Sequence, residues 1–444
     1  MAKALSQAGW KTAIVEKGAV GGSCVNVGCT PTKTMVASAR VAYLARRGAD
    51  YGVNTGPVTI DMQKIRQRKR AIVDDFSGGS RRVLEGIDGL DLLFGHARFS
   101  SPHELEVRMN EGGSLRCLSA DHIFINTGTR PSVPAVTGID KVNALDSAAI
   151  MELDRVPQHL LVLGGGYIGL EFGQMFRRFG SRVTIVQRGA QLTREDPDVA
   201  EAIANIVRQD GIEVLLNTTA LELTQGPRGT IELGVRTPER ERTLCGSHVL
   251  VAVGRTPNSD ELGLEAAGVA VDERGFIPVN ERLETSVRGV YVIGDVKGGP
   301  AFTHISYDDY RVLRANLLDG AQATTLNRSV PYTMFIDPQL GRVGLSETAA
   351  RAQGLNVRVA KMPMSYVARA LEVDETRGLM KVVVDADSDQ ILGCAILGME
   401  GGELMAVLQM AMAGRLPYTV VRDTTFAHPT LAESLNNLFS SFEN

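Results

Sequence analysis

The chain of 444 residues contains no apolar run approaching the ~18 residues that a membrane-spanning helix needs. Its opening stretch, Met1 to Trp10, lacks the apolar core of a secretory signal. Positive charge is not in excess: 47 Lys and Arg stand against 51 Asp and Glu, for a net charge of −4. Neither nucleic acid nor an anionic membrane is therefore expected as a partner. Cysteine is scarce, with five in all, and Cys117, Cys245 and Cys394 are scattered. That spacing excludes a secreted disulfide framework and makes a reducing, cytoplasmic setting the expectation. The length predicts roughly three domains of about 150 residues each.

A further lack lies at the start. Residues 1–9 read as the tail of a helix closed by Gly9, and residues 11–16 as a short buried strand ending in Glu16. An acid at the end of the second strand of a Rossmann unit hydrogen-bonds nucleotide ribose hydroxyls. The first strand and G-x-G-x-x-G turn that normally precede such a helix, and that seat the pyrophosphate, do not precede it here. The expectation is an N-terminally truncated or mis-started nucleotide unit.

What is present centres on Gly21-Gly22-Ser23-Cys24-Val25-Asn26-Val27-Gly28-Cys29-Thr30-Pro31-Thr32-Lys33. On a regular helix, positions five apart lie about 8–9 Å apart between Cα atoms. A disulfide needs them within about 7 Å. A Cys24–Cys29 bridge therefore requires a distorted turn, and a strained bridge is easily reduced, the mark of a catalytic disulfide. Two buried thiols packing as small hydrophobes is the plainer alternative.

A second, complete unit follows. Leu160-Leu161-Val162-Leu163 reads as a buried strand, Gly164-Gly165-Gly166-Tyr167-Ile168-Gly169 as a full phosphate turn, and the residues through Phe179 as a helix closed by Gly180. The next strand, residues 182–186, ends in Gln187 and Arg188, with Arg194 six residues later. A neutral residue with nearby arginines suits a 2′-phosphate, so NADPH is expected over NADH. Further helices are expected at residues 34–47, 60–85, 311–318, 402–413 and 431–439. The charge run Lys64, Arg66, Arg68, Lys69 and Arg70 reads as a solvated face. Residues 121–131 and 249–258 read as strands running into Gly/Pro turns, where backbone approaches a ligand or another domain closely. Residues 285–296 read as a strand ending in Gly294-Asp295, a carboxylate placed for sugar or ribityl hydroxyls. Strands near 357–363, 379–384 and 391–397 make the C-terminal region α+β. In His428-Pro429-Thr430-Leu431-Ala432-Glu433, His428 stands at an expected helix entrance with Glu433 in reach to orient its ring.

Together, C-V-N-V-G-C, T-G-T-R-P, G-G-G-Y-I-G-L-E, V-G-R-T-P-N, V-Y-V-I-G-D and H-P-T-L-A-E resemble the class I flavoprotein disulfide reductases over nearly the whole chain. That family includes glutathione reductase, dihydrolipoamide dehydrogenase and mercuric reductase. The resemblance implies an α/β fold with two Rossmann-like nucleotide-binding domains, for FAD and NAD(P), and a C-terminal α+β dimerisation domain. The FAD domain would comprise residues 1–150 and 274–328, the NAD(P)H domain 151–273 and the interface domain 329–444. It implies that Cys24 exchanges with substrate, Cys29 is the charge-transfer thiolate beside the flavin, and Lys33 near flavin N5 pairs with Glu171. Glu16, Gly22, Thr127, Gly128 and Asp295 would hold FAD. Gly164, Gly166, Tyr167, Ile168, Gly169, Gln187, Arg188, Arg194 and Gly254 would take NADP, with Tyr167 gating the nicotinamide. His428 and Glu433 would serve Cys24 of the partner subunit, making an obligate homodimer. No resident metal is implied.

The implied activity is an NADPH-dependent reductase passing electrons through FAD and the Cys24–Cys29 pair to a small-molecule disulfide or a metal ion. Thr303 to Arg311 and the tail after Glu433 look most like the mercuric-reductase-like branch. Residues 435–444, however, lack the vicinal cysteines that deliver Hg(II) in mercuric reductases. Alternatives are Hg(II) or Cu(II) reduction, a dihydrolipoamide dehydrogenase, and a flavin-free remnant that binds only NADP.

Overall fold

The structure is a computed structural model and describes residues 1–443. The chain forms two compact units.

The first unit comprises residues 1–34, 67–132 and 254–328. The helix Ala2–Gln7 precedes the strand Thr12–Glu16, which runs parallel to the first half of Leu90–Ser101, with Thr12 opposite Leu90 and Glu16 opposite Phe94. Leu90–Ser101 then pairs antiparallel with Glu104–Met109, and that strand with Leu115–Ser119. Among the described residues no strand pairs with the other edge of Thr12–Glu16. A separate parallel pair, Ile123–Ile125 and Val290–Val292, carries the buried centre of the unit with Phe99, Ile277 and Val296. The strand expected over residues 285–296 is thus only three residues long. Leu283, at positive φ, precedes it in a turn. The helix Thr303–Leu318 begins eight residues before the expected one.

The second unit holds residues 35–66, 133–253 and 329 onward. Its nucleotide sheet is five-stranded and wholly parallel, in the order Glu213–Leu215, Arg182–Val186, His159–Leu163, His248–Val251, Ala144–Leu145. His159–Leu163 is buried at every position, as its unbroken apolar run requires of a central parallel strand. The helix Tyr167–Phe179 ends on Gly180, which takes φ 116°, a left-handed conformation that favours glycine. Arg177 and Arg178 fill its last turn, where a cation meets the negative end of the helix dipole. A three-stranded meander, Thr219–Gln225, Ile231–Arg236 and Glu241–Gly246, covers this sheet's other apolar residues.

The C-terminal part of this unit is a five-stranded antiparallel sheet, with the helices Gly401–Ala413, Tyr418–Asp423 and Ser434–Ser440 sharing its core. Among the described residues no helix is long and apolar enough to cross a membrane. The charge run near the start of the helix Met62–Glu85 is not wholly solvated. Lys69 is buried, Arg68 donates to the Thr34 carbonyl at 3.0 Å, and Arg66 donates to the Glu152 carbonyl at 2.6 Å. Long basic side chains cover apolar surface with their stems, which sequence charge alone does not reveal.

Candidate active site

The two cysteines near the N-terminus lie on two helices, not one. The helix Gly22–Asn26 stops, Val27 takes φ −140°, and a new helix, Cys29–Arg46, starts at the second cysteine. The long helix thus begins five residues before the expected Thr34. The break depends on Gly28: a Cβ there would lie 2.8 Å from the Ser23 carbonyl oxygen and 3.2 Å from the Cys24 Cα. The two turns pack backbone against backbone, and the cysteines come within hydrogen-bonding reach instead of the spacing of a regular helix.

Both are free thiols. They compete for one proton. The Cys29 thiol donates to Cys24, the Cys29 backbone N–H also points to that sulfur, and the Thr303 hydroxyl and Lys33 ammonium add to the effect. Together they bring Cys24 from 9.0 to about 6 despite burial. Cys29 is pushed up, first by its bond to Cys24, then by burial. In the dithiol as it stands, the charge therefore rests on Cys24.

Thr303, whose Oγ1 lies 3.8 Å from Cys29 Sγ, is a residue the sequence reading missed in this role. It is the first residue of Thr303–Leu318, so the positive end of a helix dipole stands beside the pair. No local signal reveals it, because 274 residues separate the two.

The two Gly/Pro turns of this unit meet each other. Thr129–Pro131 pairs antiparallel with Arg255–Pro257. Thr127 Oγ1 donates to the Asn258 carbonyl at 2.7 Å, and Asn258 Nδ2 returns to the Thr127 carbonyl at 2.9 Å. Arg255 donates to Thr129 Oγ1 at 2.6 Å, and Thr129 Oγ1 donates to Asp295 Oδ2 at 3.0 Å. The three motifs are one hydrogen-bonded assembly that orients the Asp295 carboxylate. Gly254 lies in this unit at φ 136°, its carbonyl accepting from Ser132 N–H. Glu16 Oε1 takes the Gly18 N–H at 2.8 Å. Nothing stands within 4 Å of a Cβ built at Gly22 or at Gly128. Carboxylates on ordered turns and open backbone fit a nucleotide bearing ribose and ribityl hydroxyls.

In the second unit, Gly164 to Gly169 forms a strand–turn–helix, with Tyr167 and Ile168 opening Tyr167–Phe179. The Gly166 backbone is extended, and a Cβ at Gly169 would lie 2.0 Å from the Gly164 carbonyl oxygen, so the turn closes only on glycine. Gln187 faces inward: its Oε1 accepts from Gly165 N–H at 3.0 Å and its Nε2 donates to the Gln191 carbonyl at 3.0 Å. Arg188 and Arg194 are exposed.

Glu171 is buried in this same unit and accepts from the Phe335 N–H at 2.8 Å. Lys33 lies in the first unit. His428 Nδ1 lies 2.9 and 3.0 Å from the two Glu433 oxygens. The pairing agrees with the sequence reading, but not the helix entrance. Ser434–Ser440 begins after Glu433, residues 428–429 and 431–433 form turns, and Glu433 N–H is held by Thr430 Oγ1. The His428 ring is largely exposed. Among the described residues no group of three His, Cys, Asp or Glu side chains is placed to hold a metal ion.

A cysteine pair poised between thiol and thiolate, beside one nucleotide fold and followed in sequence by another, defines a dithiol oxidoreductase. Residues 1–309 match the pyridine nucleotide-disulphide oxidoreductases, and residues 330–439 match their dimerisation domain. The chain belongs to this family of FAD-dependent, pyridine-nucleotide-using enzymes. It is similar to the probable pyridine nucleotide-disulfide oxidoreductase RclA of Escherichia coli (strain K12), with 37% identity across 99% of this chain and 96% of RclA. A mercuric reductase of Bacillus cereus is 32% identical across 98% of this chain and 68% of its own length. A dihydrolipoyl dehydrogenase of Geobacillus stearothermophilus is 34% identical across 96% of this chain and 90% of its own. Among solved structures, the Cu(II) complex of the HOCl-induced flavoprotein disulfide reductase RclA from Escherichia coli matches with a TM-score of 0.89. That match has 36% identity and covers 99% of this chain and 96% of that one.

Proposed function

We propose that this enzyme takes two electrons from NADPH and delivers them, through the Cys24–Cys29 pair, to a small-molecule disulfide or a metal ion. The observation that carries the reading is the broken helix at Gly28, which brings the two sulfurs together with the charge on Cys24. Bound FAD would supply the relay from nicotinamide to sulfur, held by Glu16, Gly22, Thr127, Gly128 and Asp295. Lys33 and Glu171 keep the roles beside it that the resemblance implies, and Cys29 would lie against the flavin and share with Cys24 the pair's single thiolate charge, as the charge-transfer role requires.

In this reading the reduced pair works as follows. The Cys24 thiolate attacks a disulfide acceptor and releases one thiolate, which takes a proton from the His428 imidazolium, oriented by Glu433. Cys29 then attacks Cys24 in the mixed disulfide, the Cys29 proton passes to the departing sulfur, the second product leaves as a thiol, and the Cys24–Cys29 bond re-forms. With a metal ion, the same two electrons leave the dithiol as the disulfide closes. His428 and Glu433 would act on Cys24 of the partner subunit, so the homodimer is the working unit. The division into an FAD domain (1–150 and 274–328), an NADPH domain (151–273) and an interface domain (329–444) belongs to this proposal, as does a cytoplasmic setting.

Relatives named mercuric reductase and a relative captured with Cu(II) make metal ions as strong a class of acceptor as disulfides. The test is a screen of glutathione disulfide, lipoamide, Hg(II), Cu(II) and quinones with NADPH, in wild type and Cys24→Ser. One acceptor turning over at least tenfold faster in wild type supports the reading. Equal rates in both proteins for every acceptor refute it. Flavin content of the purified chain separates it from a remnant that binds only NADP.

A further inference from the structure

Residues 188–195 form bends between the strand Arg182–Val186 and the helix Pro197–Gln209, without a regular backbone ladder of their own. Side-chain amides hold them. From Gly165 N–H the chain of bonds passes through the Gln187 amide to the Gln191 carbonyl, at 3.0 Å each. The Gln191 side chain continues it: its Nε2 donates to the Thr193 carbonyl at 2.7 Å and to the Glu195 carbonyl at 3.0 Å. Those carbonyls belong to the residues on either side of Arg194. Glu195 is itself anchored, its buried carboxylate accepting from Arg342 Nε at 3.1 Å and from the Tyr332 hydroxyl. Arg194 and Arg188 are exposed, and neither forms an ion pair among the described residues.

An arginine on a loose loop loses affinity to the entropy of ordering that loop, and a pre-held loop avoids the loss. We propose that Gln191 is a positioning residue for coenzyme choice. By clamping both carbonyls beside Arg194, it holds that guanidinium where the 2′-phosphate of NADPH is received. Gln187 is then a strut tying this loop to the phosphate turn, not a contact to ribose. The inference rests on the NADPH reading above. It also separates Gln187 from a simple specificity switch. In Gln187→Glu one carboxylate oxygen would face the Gln191 carbonyl, two acceptors with no proton between them. That substitution loosens the loop without creating an NADH enzyme.

The test uses the full-length holoenzyme and Gln191→Met, which keeps the side-chain length and removes the donor. Binding of 2′,5′-ADP and of 5′-ADP is measured by titration calorimetry, alongside KM and kcat with NADPH and NADH. Wild type binds 2′,5′-ADP more tightly than 5′-ADP. Gln191→Met loses about tenfold of that ratio, the scale of one hydrogen bond to a charged group. KM for NADPH rises in proportion, while kcat at saturation and KM for NADH move less than about twofold, within the scatter of a silent surface change. In the pair with Arg194→Met, the double variant loses little more than Arg194→Met alone. An unchanged ratio in Gln191→Met, additive losses, or both KM values rising together overturn the clamp alone. A wild type without preference for 2′,5′-ADP overturns the NADPH reading and the clamp with it.

Discussion

Replacing Gly28 with alanine tests the joint on which the redox pair depends. The new methyl would stand 2.8 Å from the Ser23 carbonyl oxygen and 3.2 Å from both the Ser23 carbonyl carbon and the Cys24 Cα. All three are backbone atoms, so no side chain can swing aside. The last turn of Gly22–Asn26 must retreat from the start of Cys29–Arg46 by roughly half an ångström to restore contact distance. Overpacking of this kind costs about 1–3 kcal/mol. A bridge between Cys24 and Cys29 tolerates that retreat less well than two free thiols do, because disulfide geometry is narrow. The strain therefore falls mainly on the oxidised form, and the reduction potential rises. With 30 mV equivalent to about 1.4 kcal/mol for a two-electron couple, the upper bound is about 20–60 mV. Equilibration of the pair against a dithiol buffer of known potential, read by thiol counting, measures the shift. A potential unchanged within about 5 mV, or one that falls, refutes this account of the helix break.

Four other substitutions probe the cysteine pair, a buried ion pair and the histidine. In reduced, flavin-free protein, iodoacetamide should label Cys24 with a midpoint near its value of about 6. Cys29→Ala removes the largest cause of the lowering and moves the midpoint up toward the ordinary thiol range near 9.0, seen as slower labelling at pH 7. Because the folded value lies below the unfolded one, this thiolate adds stability as pH rises from about 6 and loses it on acidification through that value. Asp337→Ala strips the carboxylate from Arg178, whose side chain is 5% exposed, and from Arg40 at 2.5 Å. Asp210 remains 3.6 Å from Arg178, so the loss should sit at the low end of the buried-pair range, about 3 kcal/mol, in urea unfolding. His428→Ala should lower kcat by about 10²- to 10⁴-fold. Glu433→Ala, which frees the ring, should lower it by about tenfold at unchanged KM for NADPH, and equal KM changes would point to misfolding instead.

The chain carries much of its own outline in local pattern. The apolar run at His159–Leu163, the glycines after it and Gly180 specify a strand, a turn and a helix, because each depends on neighbours within a few residues. A bridge between Cys24 and Cys29, five positions apart, requires a distorted turn from geometry alone, and His428 with Glu433 pairs across five residues as read. Helix boundaries drifted where capping and turns compete with periodicity. The cysteine helix starts at Cys29, not Thr34, and the last long helix starts at Ser434, not Leu431.

Sequence alone thus determined the class of chemistry: a close cysteine pair, a complete phosphate turn, and a histidine with its carboxylate. Tertiary structure alone decided how those parts are supported. It brought Thr303 to Cys29 and paired 129–131 with 255–257 so that Asp295 is oriented. It tied the Gln187 amide to the Gly165 N–H and the Gln191 carbonyl, and buried Lys69 within a charged run. The division has a physical cause. Elements form from propensities and periodicities that act over a few residues. The partner of a hydroxyl, an amide or an ammonium is whichever group the packed chain delivers, often hundreds of residues away.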